Sequence, residues 1–287
     1  VKYFKPLQVA PQHIGSLNKI RFSPDGTKAV LIARNKPLRL WDIKLPDVKI
    51  MECSDAFGFA QFSADGNMIM SCSRDGTIQF WDVESCKVIK KCKHPGNVYG
   101  YQFSSDGKIL ASYSFNSVFR IWDVQSGQEI QVSNYNGIEC ICFSLDDQYI
   151  AIVQVGVIEI WNAVTGKQMR KFQAHYIKNM QFSSDSQLLA SPSLDGTMRI
   201  WDVKSGNEVQ TLEYSFGFVT GLEFFPDNKT IITSYLSPIR LWNLRLQMEI
   251  QELKGHQNDV IALHVLPDGN TFISGDLDGI IRLWTAL

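Results

Sequence analysis

Seven tryptophans punctuate this chain at nearly constant intervals: Trp41, Trp81, Trp122, Trp161, Trp201, Trp242 and Trp284, separated by 40, 41, 39, 40, 41 and 42 residues. Each closes a short segment in which apolar and polar residues alternate: 38–41, 78–81, 119–122, 158–161, 198–201, 239–242 and 281–284. Alternation of period two puts one face of a strand into a core and leaves the other in polar surroundings. Asp follows at 42, 82, 123 and 202 and Asn at 162 and 243; only Thr285 breaks the pattern. A period of this length marks a supersecondary unit that buries its apolar faces against neighbouring copies of itself.

A second anchor lies 18 or 19 residues before each Trp. It reads Phe-Ser-Pro-Asp-Gly at 22–26, Phe-Ser-Ala-Asp-Gly at 62–66 and Phe-Ser-Ser-Asp-Gly at 103–107, with looser copies at 143–147, 182–186, 224–228 and 265–269. An apolar strand end followed by Asp and Gly makes a tight turn. The two anchors, matched seven times over the whole length, resemble the WD-repeat family. The resemblance implies an all-β fold, a seven-bladed β-propeller with four antiparallel strands, a to d, in every blade. In repeat 2, strand a ends at Phe62, b spans about 68–73, c about 77–82 and d about 88–92. Residues 1–287 read as a single domain with repeats ending near 52, 92, 132, 172, 212, 253 and 287, and essentially no helix is expected. The last repeat stops three residues after Trp284, before any strand d. Residues 1–10 occupy the place that strand d takes before every other repeat; in the resembled family such a segment forms the outer strand of the last blade and closes the ring, and the resemblance implies the same here. Pro6 and Pro11 suit that role, because an outermost strand has no ladder to feed on one side.

The family pattern also links four residues in a blade: a His before strand a, a Ser or Thr on b, an Asp in the b–c turn and the Trp on c. Repeat 5 matches with His175, Ser191, Asp195 and Trp201, and repeat 7 with His256, Ser274, Asp278 and Trp284. Repeat 3 has His94, Ser112, Asn116 and Trp122. Repeat 2 keeps Ser71, Asp75 and Trp81 with Cys53 in place of the His; repeat 1 has His13 and Asn35 with Leu31 between them. Counting by position, repeats 4 and 6 carry Ala151 and Ile232 for the Ser, and Val155 and Leu236 for the Asp. They are expected to drop the network whole, since a half-satisfied buried polar network costs more than an apolar one. His, Ser and Asp in series invite a catalytic-triad reading. Their recurrence beside a Trp in several repeats makes a structural role the better one.

Charge and motifs narrow the function classes. Lys and Arg number 28 against 29 Asp and Glu, for a net charge of -1, so the basic excess of a nucleic-acid binder is missing. No apolar run reaches the length of a membrane span, and the first residues do not read as a signal peptide. The six cysteines, Cys53, Cys72, Cys86, Cys92, Cys140 and Cys142, form no CxxC pair or metal-ligand spacing and read as reduced thiols of an intracellular protein. Phosphate-binding Gly loops and HExxH are absent, so no metal, cofactor or enzymatic activity is expected. The chain does not begin with Met, which fits a domain of a longer protein or a processed chain.

In the resembled family, the loops before strand a and the b–c turns form one face, called the top. Carried over repeat by repeat, its candidate partner-binding residues are Arg34, Arg74, Tyr99, Phe115, Tyr176, Lys178, Phe218, Tyr235 and Asp259, with Phe216 close by. Aromatic and Arg side chains are the types that dominate binding hot spots. The resulting expectation is a non-catalytic scaffold that binds a peptide or protein on this face. It is expected to be monomeric as a domain, to bind neither membrane nor nucleic acid, and to act in the cytoplasm or nucleus. Two alternatives share the scaffold. A ubiquitin-ligase substrate receptor would carry TrpAspxArg at the end of strand c, which 41–44, 201–204 and 242–245 approach only loosely. A histone-tail reader would use the aromatics as a methyl-lysine cage.

Overall fold

In strand c of repeat 2, Thr77–Asp82, the side chains of Ile78, Phe80 and Trp81 are buried while Thr77, Gln79 and Asp82 stay half-exposed, which is the alternation written in the sequence. The computed structural model describes residues 2–10, 17–33, 36–43, 48–51, 59–73, 76–94, 98–114, 118–134, 137–174, 177, 179–214 and 219–287, with the backbone alone at 7–10, 48, 59, 99 and 134. These residues contain no helix. Their strands form seven four-stranded antiparallel sheets, the architecture of a seven-bladed β-propeller. Blade 2 is typical, with strand a at Phe59–Phe62, b at Met68–Cys72, c at Thr77–Asp82 and d at Val88–Lys93. In blade 7 the order is completed from the other end of the chain: Phe4–Ala10 is its outer strand, beside Ile281–Ala286.

The chain divides into two units, Val1–Val9 with Asn136–Ser274 and Arg282–Leu287, and Ala10–Tyr135 with Gly275–Ile281. Inside each, a Trp fills the gap to the preceding blade. In the second unit, Trp81 packs with Val30, Leu38 and Met51 of blade 1, and Trp122 with Met70, Ile78 and Phe80 of blade 2. In the first, Trp201, Trp242 and Trp284 do the same for blades 4, 5 and 6. One Trp per repeat therefore suffices to specify both a strand and its neighbour.

The outer strands carry a device that periodicity does not show. In blades 2 to 6 the pairing of c with d slips by one residue just before the Trp. The slip leaves Ile89, Ile130, Met169 and Val209 unopposed, and all four are exposed. Bulges twist a sheet edge away from the flat template on which a stray strand would pair. In blades 1, 2, 4 and 6 the strand-d residue opposite the one before the Trp reaches to the next blade. Lys49 Nζ donates to Glu84 O, Lys90 Nζ to Val124 O and Gln125 O, and Arg170 Nε to Lys204 O. At the equivalent position in blade 6, Gln251 accepts from Phe4 N–H and donates to Phe4 O, both at 2.8 Å.

Candidate functional site

The Phe-Ser-x-Asp turns between strands a and b are built to hold shape. Ser63 Oγ donates to Asp65 Oδ1 at 2.5 Å and accepts from Met68 N–H at 3.0 Å, and Asp65 accepts from Asn67 N–H. The same set recurs at Ser23, Ser104, Ser144 and Ser183. The described side-chain bonds of these Ser and Asp residues stay within the turn, so the anchor motif is structural.

The buried Trp N–H groups show where counting along the chain and counting across strands part. Trp81, Trp122, Trp201 and Trp284 donate to Ser71, Ser112, Ser191 and Ser274 Oγ at 2.8–2.9 Å. In blade 5, Trp201 faces Leu189, two residues before Ser191; in blade 6, Trp242 faces Ile231, two residues before Thr233. Thr233 is thus the equivalent of Ser191, and Trp242 Nε1 donates to its Oγ1 at 2.9 Å. The expectation that Ile232 holds this position and that repeat 6 drops the bond is corrected. The hairpin is one residue shorter there, and a one-residue shift moves a side chain to the opposite face. Repeat 4 has the same short hairpin, which puts Ile152 rather than Ala151 at the position. With no hydroxyl available, Trp161 Nε1 donates to Glu159 Oε2 at 3.1 Å, and Glu159 is buried and ion-paired with Lys171. The 18-residue anchor spacing in repeats 4 and 6 was the sequence signal for both corrections.

Among the other network residues, His256 Nε2 lies 2.6 Å from Ser274 Oγ in a hydrogen bond, and His94 is buried with its ring 6.0 Å from that of Trp122. Asp195 is 37% exposed, and its described bonds go to Thr197 N–H, Thr197 Oγ1–H and the Arg199 guanidinium. Burial acts to raise its pKa, but these donors hold it down at about 2. In blade 7, Asp278 is exposed, and the buried carboxylate of the b–c turn is Asp276, which accepts from Asp278 and Ile280 N–H. Asn116 and His175 lie outside the described residues.

Of the expected partner-binding residues, Arg34, Arg74, Phe115, Tyr176, Lys178 and Phe218 also lie outside the described residues, as does Phe216, and Tyr99 is described in backbone only. Tyr235 and Asp259 are half-exposed and are brought together. Val260 N–H donates to Leu236 O at 2.9 Å, tying the start of strand a in blade 7 to the b–c turn of blade 6. Leu17 N–H makes the same bond to Leu277 O. Two further residues on these turns were read from the sequence only as apolar replacements for the Asp. Val155 is 71% exposed at φ 46°, and Leu236 is 47% exposed at φ 54°. Val155 and Gly156 form a two-residue loop between Gln154 and Val157, both at positive φ.

Among the described residues no group of three His, Cys, Asp or Glu side chains is placed to hold a metal ion, and no helix is long and apolar enough to cross a membrane. The family model described as "WD domain, G-beta repeat" matches residues 52–82, 86–123, 166–202 and 247–285. Small ribosomal subunit protein RACK1 of Drosophila melanogaster is 30% identical over 241 residues, covering 78% of this chain and 76% of that protein. Periodic tryptophan protein 2 of Arabidopsis thaliana is 25% identical over 229 residues, 78% of this chain, which spans 21% of its length. Apoptotic protease-activating factor 1 of Danio rerio is 25% identical over 211 residues, 70% of this chain and 16% of its own length.

Proposed function

This chain belongs to the WD-repeat family, and from that premise we propose that it is a non-catalytic docking module. It holds a peptide or protein on the b–c turns and strand-a entrances of blades 4 to 6 and the start of blade 7. WD-repeat propellers are in general protein-interaction scaffolds and generally non-catalytic. The names of the relatives refer to a ribosomal subunit in one case and to apoptotic protease activation in another. What carries over is the module, not either partner.

The observation that carries the reading is the pair Val155 and Leu236. Bulky residues at positive φ are conformational outliers, and these two also expose apolar surface on turn tips. Strain and exposure cost stability with no return to the fold, and such costs concentrate where partners bind. Tyr235 and Asp259 beside Leu236 add an aromatic and an acidic contact. Ser191 and Ser274, by contrast, are buried and engaged by Trp N–H groups, which supports structural rather than nucleophilic roles. In the other unit Arg34 and Arg74 are candidates to grip an acidic or phosphorylated residue. The module acts inside the cell, as a monomer, without cofactor, nucleic acid or membrane.

The test begins with a partner captured on the chain and identified by mass spectrometry. Its Kd is then measured by fluorescence anisotropy. Tyr235→Ala and Leu236→Asn should each cost about 2 kcal/mol, roughly thirtyfold, as hot-spot truncations do. A partner that tolerates both changes but is lost on Asp65→Asn in an a–b turn puts the interface on the opposite face.

A further inference from the structure

The outer strand of blade 2 differs in charge from those of blades 3 to 6. Each of those sheets balances its c and d strands: Arg120 with Glu129, Glu159 with Lys171, Arg199 with Glu208, and Arg240 with Glu249 and Glu252. In blade 2 the residue opposite Lys91 is the neutral Gln79. Lys87, Lys90, Lys91 and Lys93 stand within seven residues. Lys90 is taken up by Val124 O and Gln125 O, and Lys93 Nζ donates to Thr77 Oγ1. Lys87 and Lys91 are exposed and have no carboxylate partner among the described residues. Ile89, left unopposed by the bulge, is 57% exposed beside them.

We propose that this strand, Val88–Lys93 with Lys87, is a second docking surface, for a short acidic polypeptide segment that also carries an apolar residue. Side chains at i and i+2 on a strand lie about 6.6–6.8 Å apart. Ile89, Lys91 and Lys93 therefore present an apolar group and two cations at the spacing of alternate residues in an extended peptide. The bulge makes the backbone edge a poor template for strand addition, so recognition runs through the side chains. The cationic strip is one strand wide and is bounded at the c–d turn by the exposed Glu84. A bilayer or a nucleic-acid duplex, with its broad anionic face, meets that carboxylate as well; a single peptide chain does not have to. Ile89 further favours a polypeptide.

The full chain is titrated into a fluorescein-labelled octapeptide alternating Glu with Val, at low salt and again in 0.5 M salt, where the Debye length of about 4 Å is shorter than the spacing of the charges along the strand. Binding should be strong at low salt and weak at high salt. Lys87→Glu combined with Lys91→Glu should weaken it at least tenfold, and the milder Lys87→Gln with Lys91→Gln should weaken it less, with unchanged melting curves because both side chains are exposed and no described hydrogen bond or ion pair holds them. Lys204→Glu combined with Lys229→Glu, the same charge change placed on the c–d turn of blade 5 and an a–b turn of blade 6, and Tyr235→Ala on the turns of the proposed partner site should leave binding intact. Equal loss with the Lys204 and Lys229 pair would reduce the effect to net charge and overturn the site. Preferential, double-variant-sensitive binding of phosphatidylserine vesicles or of a single-stranded RNA would overturn the partner class.

Discussion

Replacing Gln251 with Ala removes a side chain whose amide bonds both backbone groups of Phe4, at 2.8 Å each. A hydrogen bond contributes about 0.5–1.5 kcal/mol net, so loss of the pair costs about 1–3 kcal/mol. Behind the backbone, the Phe4 ring lies 5.3 Å from that of Phe225 and 5.2 Å from that of Phe272, and it is 2% exposed. Truncating a buried Phe costs about 3–5 kcal/mol, which bounds the loss if the first strand lets go altogether. Urea melts followed by Trp fluorescence read the total. Hydrogen exchange at Leu287, whose N–H donates to Tyr3 O at 2.8 Å, reads whether the first strand has loosened. Gln251→Lys should fall between wild type and Gln251→Ala: a cation grips the Phe4 carbonyl, as Lys49 grips that of Glu84, but offers nothing to the Phe4 N–H. Gln251→Ala and Phe4→Ala should be less than additive, because both act by releasing one strand. A loss under about 0.5 kcal/mol, the range of an ordinary surface change, with unaltered exchange at Leu287, would refute the view that this side chain secures the first strand.

Thr233→Val keeps the side-chain shape but leaves the buried Trp242 N–H without its acceptor, and should cost about 1–3 kcal/mol in the same melts; a neutral result would return Thr233 to an ordinary core residue. Val155→Asn should stabilise by about 1 kcal/mol, because Asn-Gly suits a two-residue loop with both residues at positive φ, and lost stability would show that Val155 packs rather than strains. Asp25 is pushed up by burial but held at about 2 by the Ser23 hydroxyl, the Thr27 N–H and hydroxyl, and the charge of Lys28. Its folded value lies below the ordinary 3.8, so its contribution is present above that pH and disappears as pH falls toward about 2. Asp25→Asn should flatten the stability-versus-pH curve in that window, and an unchanged acid limb would contradict the assignment.

The b–c turns and the packing core differ in how their chemistry is secured. Inside, the N–H groups of Trp81, Trp122, Trp161, Trp201, Trp242 and Trp284 all find acceptors, even where the repeat lacks the usual hydroxyl, as Glu159 shows. A buried donor cannot be left unmet at less than about 1–3 kcal/mol, so the fold substitutes another residue type rather than abandon the bond. At the exposed position of these turns no such demand operates, so Asp195, Val155 and Leu236 differ freely in type there.

The sequence by itself determined where strands a and c end, because a Trp ends c and Phe-Ser-x-Asp ends a at a fixed period, and through the family those residues resemble it implied seven four-stranded blades with residues near 1–10 as an outer strand. It also singled out Tyr235 and Asp259 by position, though not that the Val260–Leu236 bond gathers them. Tertiary structure decided what depends on register and exposure. Whether Ile232 or Thr233 faces Trp242 turns on the parity of a hairpin, which is set across strands and not along the chain. The exposure of Val155, Leu236 and Ile89 follows from a tight loop, a left-handed backbone and a bulge. An apolar letter in a sequence reads as core until the backbone turns it outward.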